Sequence, residues 1–400
     1  MNSPYLSEYR LQDAHSQAIL SNMKINRALF KVIIQKIKTS KKAILLYGAR
    51  QVGKTTLVQD IIKELPSQKT LSISCDEDKY RQILSSQDLR KLSGLVASYD
   101  LFFLDEAQRI PNIGINLKLI IDSFPNLKII VTGSSSFELR NQVQEPLTGR
   151  IWSYNLFPIS FSELTNTHNT FELDDTIHER MIFGSYPDVF SFNNYEDKKE
   201  YLLELSTSYL YKDIFEITRI KYPEKIRKLL KLLSFQIGQE VSLSELARKI
   251  ESTKETVNHY IDLLEKSFVI FRLSGFSRNL RKEITKMDKI YFWDLGIRNA
   301  VINQFKFFED RDDEGACWEN FLISERFKRN AYQKNGAQGY FWRLHSGAEI
   351  DYVEEVDGDL FAYEIKVNAK KIKTPKTWKE TYQTATFQVI SRDNYQEFLK

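Results

Sequence analysis

Gly48-Ala49-Arg50-Gln51-Val52-Gly53-Lys54-Thr55 satisfies G-x-x-x-x-G-K-[ST] at every defined position. Backbone N–H groups of such a loop, together with the N-terminus of a following helix, form a cradle for phosphate. Lys54 would then reach the outer phosphates of a nucleoside triphosphate, and the Thr55 hydroxyl would ligate magnesium. Thr56 completes the nucleotide-binding run. A second group, Asp105-Glu106, ends the apolar stretch Leu101 to Leu104. A strand buried on both faces delivers its last side chains to the carboxyl edge of a parallel sheet, where ligands bind. Asp105 can hold the magnesium shell there, and Glu106 can polarise an attacking water.

Two further positions fit the same chemistry less tightly. The run Lys128 to Val131 leads into "TGSSS", where Thr132 or Ser134 could contact a terminal phosphate or the water. Plain turn residues account for such hydroxyls equally well. "EPLTGRIW" places Arg150 before another strand. It reads either as an arginine acting in trans on a neighbouring subunit's phosphate or as an ion-paired surface residue.

A separate constellation lies near the C-terminus in "GAEIDYVEEVDGDLFAYEIKV". Asp357-Gly358 is a strong two-residue hairpin signal. With that turn, Val356 faces Asp359, Asp351 faces Glu364 and Glu349 faces Lys366. All four charges then project to one side, leaving Ile350, Tyr352, Ile365 and Val367 on the other. Facing like charges are unfavourable by a few tenths to about 1 kcal/mol. A divalent cation between Asp351 and Glu364 removes that conflict, since magnesium takes one or two carboxylates plus waters. Lys366 could orient or deprotonate a water, and the upstream helix "GACWENFLISERFKRN" could bring Glu319 to the same place. The plainer alternative pairs Glu349 with Lys366 and leaves Asp351 and Glu364 solvated.

The elements that must position these groups are legible as well. Ala43 to Tyr47 reads as a buried strand before the glycine loop. Leu57, Ile61 and Leu65 follow at helical spacing until Pro66. Farther on, Leu243, Leu246, Ala247 and Ile250 mark one amphipathic helix. Ser252 or Thr253 caps a second that carries Val257, Ile261 and Leu264. Phe268 to Leu273 alternates like a strand, and Arg278, Arg281, Lys282, Lys286 and Lys289 follow around a β-ribbon. That order is a winged helix-turn-helix, a module that enters DNA grooves or docks proteins. From Lys221 to Lys289 the chain holds 15 basic and 9 acidic residues, although the whole chain nets only +4.

Composition narrows the class. An apolar fraction of 42% with 13% aromatics supports globular cores, and 400 residues imply two or three domains. Cys75 and Cys317 are the two cysteines, too few for a disulfide framework. No signal-peptide pattern or membrane-length apolar run is present, so a cytoplasmic protein without membrane contact is expected.

In order, "YGARQVGKTTL", "LFFLDEAQRIPN", "IIVTGSSS", "LTGR" and "PISFSEL" resemble a family of predicted bacterial and archaeal AAA-superfamily ATPases. Its members carry a further C-terminal region, and "GSYPDVF" and "YLYKDIFEI" resemble its junction. The resemblance implies an AAA-type core, ATP and Mg2+ as cofactors, and scope for a homo-oligomer. Residues 315 to 367 resemble the PD-(D/E)XK nuclease-like superfamily, with Ile350 standing where that pattern often has proline. That resemblance implies Asp351 and Glu364 as metal ligands, Lys366 for water activation and Glu319 for a second metal or support.

The expected fold class is α/β. It comprises a P-loop AAA-type core (1–165), a helical connector (166–235), a winged helix-turn-helix (236–300) and a restriction-endonuclease-like α/β domain (301–400). The expected function is ATP hydrolysis coupled to action on DNA, with metal-dependent cleavage by the last domain. Two alternatives keep the ATPase: an ATP-switched nucleic-acid-binding regulator, or a protein-remodelling ATPase with a catalytically inactive C-terminal scaffold.

Overall fold

The computed structural model describes residues 25–134, 139, 142–143, 145–210, 222–277, 287–344, 347–368 and 371–400. Helix α1 (Leu29–Thr39) buries Leu29, Ile33 and Ile37 at four-residue spacing. It leads into β1 (Ala43–Tyr47), whose five residues are all buried. The glycine loop opens helix α2 (Lys54–Lys63), which turns Leu57, Val58 and Ile61 inward. The unit is completed by β2 (Thr70–Ser74), β3 (Leu101–Asp105), helix α3 (Ile113–Ser123), β4 (Lys128–Gly133) and β5 (Ile151–Asn155).

These strands form one sheet in the order β2-β3-β4-β1-β5. Every pair in it is parallel. All carboxyl ends therefore lie on one edge. The glycine loop after β1 and the acidic pair after β3 flank the end of β4, which carries Thr132. The order of strands thus gathers three chain-distant segments at one crevice.

Among the described residues between 165 and 235 the regular elements are helical: they include α4 (Ile177–Phe183), a 3-10 turn (Pro187–Ser191), α5 (Tyr195–Glu204) and α6 (Pro223–Phe235). Helices α7 (Leu243–Lys249) and α8 (Lys254–Lys266) follow. Thr253 caps α8 by accepting from the Thr256 N–H at 3.2 Å, and Val257, Ile261 and Leu264 are buried. Strands β6 (Ile270–Gly275) and β7 (Lys289–Phe292) then pair antiparallel. Of the expected basic ribbon, Arg278, Arg281, Lys282 and Lys286 lie outside the described residues.

Helix α9 (Leu295–Ile302), the twenty-residue helix α10 (Glu314–Gln333), β8 (Gln338–Arg343), β9 (Glu349–Val356), β10 (Asp359–Ile365) and β11 (Thr386–Ile390) complete the chain. The second sheet runs β11-β10-β9-β8-β6-β7. It continues across residue 300, because β6 pairs parallel with β8. A single large core joins the P-loop unit, the helices and one face of this sheet. A smaller cluster of Phe276, Trp342, Ile350, Val353, Leu360, Ala362 and Trp378 covers the other face.

The hairpin register follows the turn. Asp357 and Gly358 both take positive φ, 51° and 91°, as a two-residue turn of matching twist needs. Val356 faces Asp359, and pairing continues in step to Tyr352 opposite Tyr363. One expectation is corrected. Tyr340 pairs with Val353 but Trp342 pairs with Ile350, so Asp351 and Tyr352 together oppose Phe341. This bulge breaks the alternation: Ile350 joins the small cluster, whereas Tyr352 faces the large core. Among the described residues no helix is long and apolar enough to cross a membrane.

Candidate functional site

The crevice at the carboxyl edge of the first sheet has a volume of about 440 Å³. Arg50, Gln51, Gly53, Lys54, Thr55, Thr56, Asp105 and Glu106 line it. Gly48 has no room for a side chain, because a Cβ there would sit 2.3 Å from the Leu156 carbonyl oxygen. Lys54 folds back onto the loop, donating to the Gly48 and Ala49 carbonyls at 2.9 Å each. The residue is 5% exposed, and its ammonium stands 4.0 Å from Glu106 Oε1.

Asp105 sits between two hydroxyls. It accepts from Thr55 Oγ1 at 2.8 Å and from Thr132 Oγ1 on the adjacent strand. Glu106 leaves β3 in the left-handed region, with φ 54° and ψ 46°. That conformation costs on the order of 1 kcal/mol in a residue with a side chain and clusters at functional sites. Its backbone N–H donates to Thr132 Oγ1 at 3.2 Å. Its Oε2 accepts from Ser134 Oγ at 2.8 Å and Gln108 Nε2 at 2.5 Å. Burial alone would raise the Glu106 pKa, but Lys54, Gln108, Ser134 and Arg50 outweigh it and hold the carboxyl below its usual range. A negatively charged acceptor is thus fixed beside Lys54 at neutral pH.

Arg150 is not part of this crevice. It precedes β5 at the opposite edge of the sheet, where its carbonyl accepts from the Ala43 N–H. Its guanidinium grips Asp122 through two bonds of 2.8 and 3.1 Å, both exposed. Within its own chain the parallel strands place Arg150 a full strand length from Lys54; the expected catalytic role is toward a neighbouring subunit's phosphate.

Several residues of the crevice carry no motif. Gln108 bridges Glu106 and Ser134, the latter at 2.9 Å; its place two residues after Glu106 was the available signal. Arg109 pairs with Asp76 at 2.6 Å. Pro187 and Asp188 reach the crevice from the connector, and Tyr201 donates to Gln51 Oε1 at 2.8 Å. Arg27 clamps the glycine loop from outside. It donates to the carbonyls of Val52 and Phe157 at 2.6 Å each and to Glu163 Oε1 at 3.0 Å. No local pattern marks it.

The second constellation gathers on β9 and β10. Lys366 Nζ lies 2.8 Å from Glu364 Oε1 and 3.2 Å from Asp351 Oδ2, and the Ile365 N–H donates to Asp351 Oδ2 at 2.8 Å. The conflict between facing carboxylates is therefore offset by Lys366 itself. Burial and Asp351 nevertheless push the Glu364 pKa up. Lys366 is held in its charged form, since Asp351 and Glu364 outweigh the effect of burial. Glu349, expected opposite Lys366, is instead drawn to Lys289 and Arg343.

Glu319 reaches this region from α10 but is held by other partners. It accepts from Tyr291 Oη at 2.5 Å and lies 3.6 Å from Lys289 Nζ. Burial, then the Asp351 and Glu349 charges against an opposing Lys289, push its carboxyl up to about 7. Among the described residues no three acidic, histidine or cysteine groups are close enough to share a metal ion. The expected set of Glu319, Asp351 and Glu364 is thus not preassembled, because Lys289 and Tyr291 draw Glu319 aside. Lys289 is corrected too. Expected on a phosphate-contacting ribbon, it is 3% exposed and pairs with two half-buried glutamates, Glu319 and Glu349. Thiol chemistry is not available at either cysteine, because burial pushes Cys75 and Cys317 each up to about 12.

Comparison with known proteins agrees with the first site. Residues 40–165 match the family model described as an AAA domain. This segment is an AAA-type P-loop domain. Residues 174–307 and 314–398 match two models described as domains of unknown function. An uncharacterised protein of Mycobacterium tuberculosis is 27% identical over 327 residues, covering 81% of this chain and 70% of its own length. One from Methanocaldococcus jannaschii is 24% identical over 358 residues, covering 84% and 78%. Among solved structures, the Walker-type ATPase of Pyrococcus abyssi aligns with a TM-score of 0.49 at 16% identity, covering 71% of this chain and 99% of that one.

Proposed function

We propose that this protein binds and hydrolyses ATP, and that it acts on nucleic acid through the modules after residue 165. The observation that carries the ATPase reading is the meeting of Lys54, Thr55, Asp105 and Glu106 at one crevice, with Glu106 ionised and fixed. The Thr55 hydroxyl and Asp105 carboxylate, bonded at 2.8 Å, are hard oxygen donors suited to Mg2+. When bound, the ion neutralises charge on the outer phosphates. Lys54 exchanges its loop carbonyls for phosphate oxygens, and the loop N–H groups cradle the chain of phosphates. Glu106 orients a water and accepts its proton, while Thr132 and Ser134 hold the acidic pair in place.

Lys54→Ala tests the reading. Loss of nucleotide binding in a folded variant is expected, and unchanged affinity for an ATP analogue would overturn it. The nucleic-acid part rests on the order α7, α8, β6 and β7, the arrangement in which a second helix meets a groove beside a strand pair. DNA is the polymer proposed, and binding that weakens with salt is its measure.

A second reading, metal-dependent phosphodiester cleavage, is favoured by the convergence of Asp351, Glu364 and Lys366. Two carboxylates suit a divalent cation, and burial, with the Asp351 charge added, raises the Glu364 pKa. Asp351 and Glu364 would hold the ion, which supplies Lewis acidity to a phosphate. Lys366, being charged, would orient the water and meet phosphate charge rather than act as a base. Glu319 would support from the adjoining helix. Magnesium- or manganese-dependent plasmid nicking that disappears in Lys366→Ala is the expected result; no nicking, or nicking retained in the variant, removes this reading.

A further inference from the structure

The flank of the P-loop domain beside β5 carries a concentration of positive charge that neither reading uses. Residues 31–42 contain five lysines and no acidic residue. Lys36 at the end of α1 and Lys42 just before β1 lie over the ring of Trp152, their ammoniums 4.4 and 4.7 Å from its centroid. Two residues along β5, Lys334 stands 3.9 Å above the Tyr154 ring. Lys128, opening β4, donates to the Ser40 carbonyl at 2.9 Å, and Trp152 Nε1 donates to Ser40 Oγ at 3.0 Å. These contacts tie lysines from α1, the loop before β1, β4 and the end of α10 into one patch beside β5, an outermost strand of its sheet.

Some exposed lysines elsewhere pair with an acid one helical turn away: Lys63 with Asp60, Lys249 with Glu245, Lys376 with Glu380. Among the described residues Lys36, Lys42 and Lys334 have no carboxylate in ion-pairing range. They also feel one another: burial first, then the Lys36 charge, lowers the Lys334 pKa. Holding like charges together in this way favours an anionic partner with several charges at regular spacing.

We propose that this patch is a contact surface for the phosphate backbone of a single-stranded nucleic acid. Alternate residues of β5 are about 6.6 Å apart, comparable to neighbouring phosphates on an extended strand. Ammoniums recognise phosphates as point charges without reading sequence. An anionic membrane fits less well, because surface insertion needs an exposed apolar face and two ammoniums overlie the Trp152 ring. The patch starts at the amino ends of β1 and β4 and runs along β5 to Tyr154, opposite Leu46, and none of its lysines lines the nucleotide crevice. Polymer and ATP can therefore be held at once.

The inference deepens the nucleic-acid reading above and fails separately from it. The test is fluorescence anisotropy of a labelled mixed-sequence single strand of about 20 nucleotides on the full-length protein, between about 50 and 200 mM salt. The triple variant Lys36→Ala, Lys42→Ala, Lys334→Ala should bind at least tenfold more weakly at the lower salt. Its log–log salt slope should fall by about 2, from three contacts at roughly 0.7 each. The Lys→Arg triple should restore binding, and basal ATP turnover should be unchanged in both, since none of the three lines the crevice. Equal affinity and slope in the alanine triple would overturn the inference while leaving the nucleic-acid reading intact. No binding of the single strand by the wild type would also overturn it, and the same titration with a labelled duplex tests the nucleic-acid reading separately. Loss of binding to phosphatidylserine vesicles with oligonucleotide binding intact would reassign the patch to membranes. Aggregation of the variant with unchanged binding would make the lysines mere guards of an edge strand.

Discussion

Replacing Glu106 by glutamine should separate nucleotide binding from hydrolysis. In the wild type, Oε2 of Glu106 accepts from Ser134 at 2.8 Å and Gln108 at 2.5 Å, and Oε1 stands 4.0 Å from Lys54. A glutamine oxygen can keep the first two bonds, so the side chain should stay in place. Its amide offers no basic oxygen to a water and presents a donor toward the lysine. Loss of a positioned base costs about 100- to 10,000-fold in rate, which is roughly 3–5 kcal/mol of barrier. Affinity for ATP should change by less than about threefold, because the cradle is made by the glycine loop. Phosphate release gives the rate, and equilibrium binding of a fluorescent ATP analogue gives the affinity. The wild-type carboxyl is held below its ordinary value of 4.5, so turnover should show no acidic limb above that pH. Turnover within threefold of wild type in the variant would show that another group serves as base.

Arg27→Ala should destabilise the protein by about 3–5 kcal/mol, since it strands the buried Glu163 carboxylate and frees the Val52 and Phe157 carbonyls; urea denaturation measures this. Lys289→Met should cost about 1–3 kcal/mol, since it removes the ammonium beside Glu319 and Glu349 and leaves them only Tyr291 and Arg343, and the same titration checks it. Asp313 is held near a pKa of about 2: burial opposes ionisation, but Arg311 and Arg298 outweigh it. A depressed carboxyl contributes stability above its unfolded pKa and loses it as pH falls through the folded one. Melting temperature should therefore drop between about pH 4 and pH 2, by less in Asp313→Asn, and equal slopes in the two proteins would contradict the assignment.

How much was legible in advance depended on distance along the chain. The glycine loop and its helix are contiguous, so eight residues specified both conformation and chemistry. The register of β9 and β10 was legible because a two-residue turn fixes every later pair, as the positive φ of Asp357 and Gly358 bears out. The bulge at Asp351 and Tyr352 was not, because it arises from pairing with β8 on the other side. Lys289 reads as one more cation of a basic ribbon; its burial between Glu319 and Glu349 depends on a helix and a strand tens of residues away.

The sequence by itself determined the phosphate-binding loop, the acidic strand end and the tight hairpin, since each depends on backbone preferences and side-chain periods within a few residues. Tertiary structure alone decided what faces those groups. Gln108 and Ser134 pinning Glu106, Lys366 between two carboxylates, Arg150 turned to Asp122, and lysines from four segments meeting at β5 all follow from strand order and packing. Electrostatics acts through space, so the partner that sets a charge's role is often remote in sequence, and only the fold brings the two within reach.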